Sequence, residues 1–451
     1  MREMTRRDLL GMLAAGAATA LLPKPLWSQT TRSAKRPNIL LILADDIGYE
    51  CLGAYGSKQY KTPHLDALAA GGLRFNHCYA QPLCTPSRVQ LMTGQSNVRN
   101  YSHFGILNRE EKTFGPMMQA AGYKTAVAGK WQLYGAEPTG KLAGTGTHPS
   151  NAGFDEYCLW QVDHTGSRYW DPLIEKNGKI MPELSRKYGP DVFCDFVCDF
   201  MARHKDEPFF VYYPMVLVHG PFEPTPHSAD RASKNNQKNF EDMVAYMDTI
   251  VGRLVAQLEK LSLREDTLIF FTGDNGTGAA ITSQLNGRAI RGGKAQTTDA
   301  GMHAPLLANW PGTVNPGGTC DDLIDFTDVL PTLADACGAT VPQGVTLDGR
   351  SFLPQLKGRK GNPHEWLFCY YNPRPAGPES PGVRFVYDRR WKLYDDGRLF
   401  DLQADILEKT PIPPSAATAE AAAARARLQK ALDSMPRTGA KIGRQLQPPA
   451  S

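Results

Sequence analysis

Asn38-Ile39-Leu40-Leu41-Ile42-Leu43 is followed at once by Ala44-Asp45-Asp46-Ile47-Gly48. The first stretch has no polar face beyond its opening residue. A short run apolar on every side suits a strand buried on both faces, as in a parallel sheet covered by helices. Similar runs recur at residues 125–128, 209–213 and 267–272. Helical patterns lie between them, at 65–70, 191–204 and 239–261. In the last of these, Met243, Tyr246, Met247, Ile250, Leu254 and Leu258 keep near-helical spacing. Strands alternating with helices predict an α/β fold, a large domain whose central, mainly parallel sheet is flanked by helices.

The composition turns Gly- and Pro-rich around 338–349, and short strand-like runs follow at 366–371, 383–387, 392–394 and 399–402. Gly397 punctuates the last two as a hairpin turn would. An Ala-rich stretch at 416–432 favours helix. The second unit is therefore expected to be a smaller C-terminal antiparallel sheet with a terminal helix. The expected division is a signal segment over 1–30, the main α/β domain over 36–340, the small subdomain over 341–435 and a mobile tail over 436–451.

The chain has 451 residues, 41% hydrophobic and 21% charged, an ordinary globular balance. Its net charge of +4 comes from the N-terminus. There Arg2, Arg6, Arg7, Lys24, Arg32, Lys35 and Arg36 face only Glu3 and Asp8. The rest is close to neutral, so no basic field points to nucleic acid. Thr5-Arg6-Arg7-Asp8-Leu9-Leu10 leads into an apolar stretch over 9–22. Paired arginines before a mildly apolar run resemble a twin-arginine export signal. The run is short for a permanent membrane span, and it holds no cysteine for lipid attachment. Export to a periplasmic or extracellular location by the twin-arginine machinery is the expectation. The nine cysteines form no Cys-x-x-Cys spacing. Cys194 and Cys198 fall one helical turn apart, and free buried thiols are the favoured reading.

Chemistry gathers after the strands. Asp45 and Asp46 follow the first, Gly129 and Lys130 the second, His219 the third, and Asp274 and Asn275 the fourth. In open α/β sheets ligands bind beyond the carboxyl ends of strands. Asp45, Asp46, Asp274 and Asn275 offer hard oxygens, which calcium prefers; magnesium, which keeps more of its water, is the less favoured ion. Cys84-Thr85-Pro86-Ser87-Arg88 opens a helical run at 89–93. Pro in a first helical turn is well placed, and free N–H groups there attract anions. Arg88 adds a permanently charged fork. A cysteine and an anion-binding device thus share one spot.

This pattern resembles the Cys-x-Pro-Ser-Arg signature of the type I, formylglycine-dependent sulfatases, within the alkaline-phosphatase-like superfamily. Further segments are similar to motifs of that family: Leu43 to Gly48, Gly129-Lys130-Trp131, His219-Gly220-Pro221, Gly273-Asp274-Asn275-Gly276, Arg291-Gly292-Gly293-Lys294 and Trp310-Pro311-Gly312. The likeness runs from about residue 37 to about residue 408. It implies a sulfatase that hydrolyses sulfate monoesters, on a sulfated carbohydrate or small molecule. It implies conversion of Cys84 to formylglycine by a maturation enzyme, and one calcium held by Asp45, Asp46, Asp274, Asn275 and residue 84. It implies catalytic roles for Arg88, Lys130, His219 and Lys294. Where the family usually has Gly-Lys-Trp-His, this chain has Gln132, which hydrogen-bonds but cannot take a proton near neutral pH. Asp274, His103 or His164 are candidates to replace that histidine. His303 stands where the family often has Arg and is given no role. Loops 101–108 and 142–168 are expected to meet the substrate and carry no readable code. Two other functions stay open: a phosphodiesterase or phosphonate monoester hydrolase with the same nucleophile, and a non-catalytic sulfated-glycan binder.

Overall fold

The computed structural model describes residues 36–135, 140–376, 380–439 and 441. The expected signal segment lies outside them, as does the expected tail apart from 436–439 and 441. No helix among the described residues is long and apolar enough to cross a membrane.

The strands are β1 (Asn38–Ala44), β2 (Leu73–Tyr79), β3 (Lys124–Lys130), β4 (Glu156–Trp160), β5 (Glu175–Lys176), β6 (Lys179–Ile180), β7 (Phe209–Pro214) and β8 (Thr267–Gly273). They continue with β9 (Thr282–Leu285), β10 (Arg288–Arg291), β11 (His303–Asn309), β12 (Gly318–Asp325), β13 (Leu367–Tyr371), β14 (Val383–Tyr387), β15 (Trp391–Tyr394) and β16 (Leu399–Asp401). One ten-stranded sheet has the order β12-β2-β11-β8-β1-β7-β3-β4-β5-β6. Its centre, β8-β1-β7-β3-β4, is parallel throughout. β11 runs antiparallel to both β8 and β2, and β5 and β6 form an antiparallel edge. β13 to β16 make a separate four-stranded antiparallel sheet. The expected α/β fold with its second, smaller sheet is the fold observed.

β1 shows why. All seven of its residues are buried. Leu40, Ile42 and Ala44 enter one apolar cluster, and Ile39, Leu41 and Leu43 enter another on the opposite face. A pleated strand turns alternate side chains to opposite faces, so a continuous apolar run needs a helical layer on each side. The helices Gly189–Arg203 and Asn236–Lys260 supply the first cluster. The Asn235 side chain caps the second of these by accepting the Lys238 N–H at 3.1 Å. The helix Val329–Cys337 belongs to the second cluster.

Some boundaries differ from the sequence reading. The strand expected at 125–128 continues to Lys130, so Lys130 ends β3 rather than following it. The Ala-rich helix begins at Ala419, capped by Thr418, after a short 3-10 turn at Pro414–Ala416. All nine cysteines are free. The helix Cys84–Thr93 is buried along its whole length and ends at Gly94, which takes the left-handed conformation (φ 68°).

Gly129 positions Lys130. Its φ is +109°, and a Cβ there would collide with the Pro214 carbonyl oxygen of the neighbouring strand β7. Gly129→Ala should lower stability by about 2–4 kcal/mol, read from guanidinium unfolding midpoints. A loss under about 0.5 kcal/mol would mean that β3 and β7 have room to separate.

Candidate active site

The carboxyl ends of β1, β7 and β8 are tied together through the backbone. Asp274 N–H donates to the Ala44 carbonyl at 2.9 Å, and Asp45 N–H donates to the Leu217 carbonyl at 2.8 Å. Val218 N–H returns a bond to the Asp45 carbonyl at 2.7 Å. The chain beyond β7 is thereby fixed beside Asp45, and His219 follows, between a cis Leu217–Val218 bond and a cis Gly220–Pro221 bond. Further along, Lys294 N–H donates to the Thr277 carbonyl at 3.1 Å and Ala295 N–H to the Pro82 carbonyl at 2.7 Å. That pair draws the lysine loop against the segment that enters Cys84.

On this frame the side chains converge. Lys130 Nζ donates to both oxygens of Asp45, at 3.0 and 2.9 Å. Arg88 donates to Asp274 Oδ2 from Nε at 3.2 Å and from Nη2 at 3.0 Å, and its Nη1 donates to the Lys130 carbonyl at 2.9 Å. Lys294 Nζ donates to Asp46 Oδ2 at 2.7 Å, and Asn275 Nδ2 donates to Asp46 Oδ1 at 2.9 Å. Asp46 N–H donates to Asp274 Oδ1 at 3.1 Å. His219 Nδ1 faces the Gly220 carbonyl at 2.6 Å, and its Nε2 lies 3.7 Å from Asp46 Oδ2. Cys84 Sγ is 3.8 Å from Gln132 Oε1, a long thiol contact. Asp46 (φ 63°) and Gln132 (φ 54°) both hold left-handed backbone, which costs a non-glycine residue about 1–3 kcal/mol and tends to be kept at functional sites.

Every sequence-predicted site residue therefore falls in one neighbourhood. Lys130, which in isolation reads as a surface lysine at a strand end, is buried. Ser87 does not face outward from the helix start. Its hydroxyl accepts from Gln81 N–H at 3.0 Å and sits 2.9 Å from the Leu83 carbonyl, stitching the entering loop. Of the two histidines considered as substitutes beside Gln132, His103 lines a cavity with Gln132, while His164 is exposed. His303 stacks on Tyr49 and Tyr79 and pairs with Asp299 at 3.2 Å, a structural placement. Sequence reasoning missed Arg168. Its guanidinium lies 3.8 Å from the Trp160 ring centroid and 3.7 Å from Asp45 Oδ2. It sits in a loop without periodicity, and no motif marked it.

The charges shape one another. Burial pushes the Asp45 carboxyl up, but Lys130, with His219, Arg88 and Lys294, outweighs that and holds it well below the usual carboxylate range. Asp274 moves the other way, to about 7, because burial and the Asp45 charge outweigh Arg88 and Lys130. Burial pulls Lys294 down, yet Asp46 and Asp45 raise it overall. His219 is lowered, chiefly by burial.

Asp45, Asp46 and His219 offer ligand atoms that all lie within 4.8 Å of one another. Asp274 and Asn275 adjoin them through the bonds above. The Asn275 Oδ1 is buried without a hydrogen-bond partner. An orphaned carboxamide oxygen among carboxylates fits a hard divalent cation, which would take it as a ligand.

A family model described as Sulfatase matches residues 37–339, and one described as N-sulphoglucosamine sulphohydrolase, C-terminal, matches residues 294–436. Arylsulfatase A of Homo sapiens is 35% identical, over 86% of this chain and 77% of its own. N-acetylgalactosamine-6-sulfatase of Mus musculus is 31% identical, over 78% and 69%. The crystal structure of Ps i-CgsB superposes with a TM-score of 0.73 at 26% identity, over 89% of this chain and 92% of that one. The phosphonate monoester hydrolase of Agrobacterium radiobacter shares the fold, with a TM-score of 0.67 at 20% identity over 88% and 95%.

Lys130→Met should destabilise the protein in chelator by about 3–5 kcal/mol at pH 7, because Asp45 loses its main counter-charge while buried. The folded Asp45 value is depressed, so the stabilisation is present above the unfolded carboxylate value and fades as pH falls below about 4. Paired unfolding curves at pH 7 and pH 3.5 read this. A cost under about 1 kcal/mol at pH 7 would show the pair to be energetically idle.

Proposed function

The chain belongs to the sulfatase family and is a sulfuric ester hydrolase; from that premise we propose that it cleaves sulfate monoesters of a sulfated carbohydrate, using formylglycine made from Cys84 and one calcium ion. The observation that carries this reading is the convergence of the Cys84 helix start with two lysines, an arginine and three buried acids. The Cys84 side chain lies close enough to act electrostatically on both Arg88 and Lys294.

Asp45, Asp46, Asp274 and Asn275, with the oxygen at residue 84, would hold the ion; so many protein oxygens on one site favour calcium over magnesium, which keeps several waters. Bound there, the aldehyde hydrate supplies a nucleophile and the ion supplies Lewis-acid polarisation of the sulfuryl oxygens. The remaining work belongs to the chain's own side chains. Arg88, anchored on Asp274 and on the Lys130 carbonyl, presents fixed positive charge beside residue 84. Lys130 and Lys294 neutralise charge that builds on the sulfuryl oxygens, the contribution that dominates for such slow esters. Asp274, fixed by Arg88 and by the Asp46 N–H, accepts the proton of the attacking hydroxyl. Gln132 holds a hydroxyl at residue 84 by hydrogen bonding and takes no proton. The leaving alcohol receives its proton from His219 or Lys294. Because burial depresses His219 below the ordinary imidazole value, its share as proton donor is lost on the acid side of neutrality.

The paired arginines at the N-terminus support passage through the twin-arginine machinery, and a formylglycine-generating enzyme is the required maturation partner. A non-catalytic glycan-binding role is set aside, since the chain is a hydrolase. Against a phosphodiesterase or phosphonate hydrolase, the deciding comparison is kcat/KM on an aryl sulfate and on an aryl phosphate diester. A higher value on the diester would overturn the assignment.

Two outcomes test the site. The peptide spanning residue 84 should be lighter by the thiol-to-aldehyde difference, and Cys84→Ala should lower aryl sulfate turnover by about 10³-fold or more. An unmodified thiol in fully active enzyme would sink the nucleophile. Calcium affinity, read by calorimetry, should rise with pH up to about 7, by up to about tenfold per unit, because the ion competes with the Asp274 proton. Affinity flat from pH 5.5 to 7.5 would remove Asp274 from the ligand set.

A further inference from the structure

We propose that the cavity beside residue 84 is an anion-recognising subsite, which takes a second acidic group, sulfate or carboxylate, on the same saccharide that carries the scissile sulfate. This rests on the sulfatase reading above and narrows its substrate class. The cavity has a volume of about 540 Å³ and is lined in part by Gln132, whose amide oxygen lies 3.8 Å from Cys84 Sγ. It therefore adjoins residue 84 through the Gln132 side chain. Its size is that of an ordinary small-molecule site.

Its charge is one-sided. Lys141, Arg168 and Arg374 line it, with His103, and among the described residues no aspartate or glutamate does. The cations that face the scissile group are already matched: Lys130 by Asp45, Lys294 by Asp46 and Arg88 by Asp274. Among the described residues the cavity cations have no such close partner: the nearest is Asp45, 3.7 Å from Arg168. Among the described residues, neither Lys141 nor Arg374 pairs with a carboxylate. Arg168 comes no closer than 3.7 Å to Asp45, and its Nη1 is buried without a hydrogen-bond partner. A substrate with a single sulfate would leave this field unanswered.

The geometry is also prepared. Arg168 lies over Trp160 with its guanidinium carbon 3.8 Å from the ring centroid, and Arg374 lies over Phe104 at 4.3 Å. A guanidinium held against an aromatic face keeps its edge N–H groups for a planar or tripodal anion. Stacking also removes rotamer freedom before the ligand arrives, which lowers the entropy cost of binding. Arg374 comes from the small C-terminal sheet, just past β13. Its loop is fixed by the Tyr101 hydroxyl, which donates to the Pro373 carbonyl at 2.9 Å. Two separate parts of the chain thus place one fork each in the same cavity. Bidentate pairing of arginine with sulfate or carboxylate is among the stronger and more directional polar contacts.

The test uses matured, calcium-loaded enzyme and a panel of saccharides in three arms, with the sulfate positions varied within each. The arms carry one sulfate, two sulfates, or one sulfate and a neighbouring uronate carboxylate; 4-nitrophenyl sulfate is run alongside. At least one dianionic arm should exceed the monosulfated arm in kcat/KM by about tenfold or more. The better arm identifies the second group. Arg374→Gln and Lys141→Gln should each lower kcat/KM for that arm more than for the monosulfated one, chiefly through KM, and added salt should shrink the preference. Turnover of 4-nitrophenyl sulfate with the monosulfated arm equal to or better than both others would overturn the subsite and leave the sulfatase reading standing. So would a preference that survives both substitutions. Failure on every arm and on 4-nitrophenyl sulfate, with residue 84 verified as aldehyde, would overturn the sulfatase reading and the subsite with it.

Discussion

Three carboxylates, Asp45, Asp46 and Asp274, are buried at the carboxyl ends of adjacent parallel strands, and the structure of the site depends on how that charge is met. Like charges in a desolvated space repel strongly, and each needs a counter-charge that is itself buried. Lys130 reaches Asp45 from β3, two strands from β1 in the sheet. Arg88 reaches Asp274 from the helix that begins at Cys84. Lys294 reaches Asp46 from the loop after β10. The set of pairings explains why sequence-distant motifs must fold around one point. It also explains why Asp45 and Asp274 diverge in proton affinity although both are buried: Asp45 has Lys130 as its close partner, while Asp274 feels Asp45 before it feels Arg88.

The small C-terminal sheet completes this arrangement rather than standing apart from it. The Lys392 side chain on β15 is buried, pairs with Glu408 at 2.8 Å and bonds the Thr297 carbonyl. Tyr394, also on β15, shares a hydrogen bond with the Thr297 hydroxyl at 2.9 Å. Both contacts hold the loop that carries Lys294. Cys369 on β13 lies 3.1 Å from Gln81 Oε1, and Gln81 backbone N–H bonds Ser87, inside the Cys84 helix. The second sheet therefore braces two of the segments that form the site. It does so while adding none of the charged groups around Asp45.

Four of the five central strands were legible because burial on both faces writes itself as an unbroken apolar run; β4 was not, and it falls in the stretch 142–168 read as a loop. β1, β3, β7 and β8 all carry it. β2, β11 and β12 escape a reading of that kind, and each has a physical reason. β2 alternates buried and half-buried positions near the sheet's edge, and β12, at the edge, begins with exposed polar residues. β11 contains Pro305, where the pairing with β2 shifts at a bulge between Ala304 and Leu306. The candidate site was legible where strand ends and short motifs carried it. Arg168 and Arg374 were not, because a residue delivered by an irregular loop owes its position to tertiary contacts such as Tyr101 with Pro373, which leave no period in the sequence.

Gln132 shows how the pieces constrain one another. Its left-handed backbone and the bond from its N–H to the Gln161 carbonyl at 3.1 Å fix where its side chain starts. From there the amide oxygen reaches residue 84, where an imidazole could have exchanged a proton. An amide can only hold. Asp274, reached from residue 84 through Arg88, has a proton affinity raised to about 7 by burial and by Asp45. Both influences are set by the sheet, not by Gln132. Gln132 also shares its cavity wall with Lys141, Arg168 and Arg374.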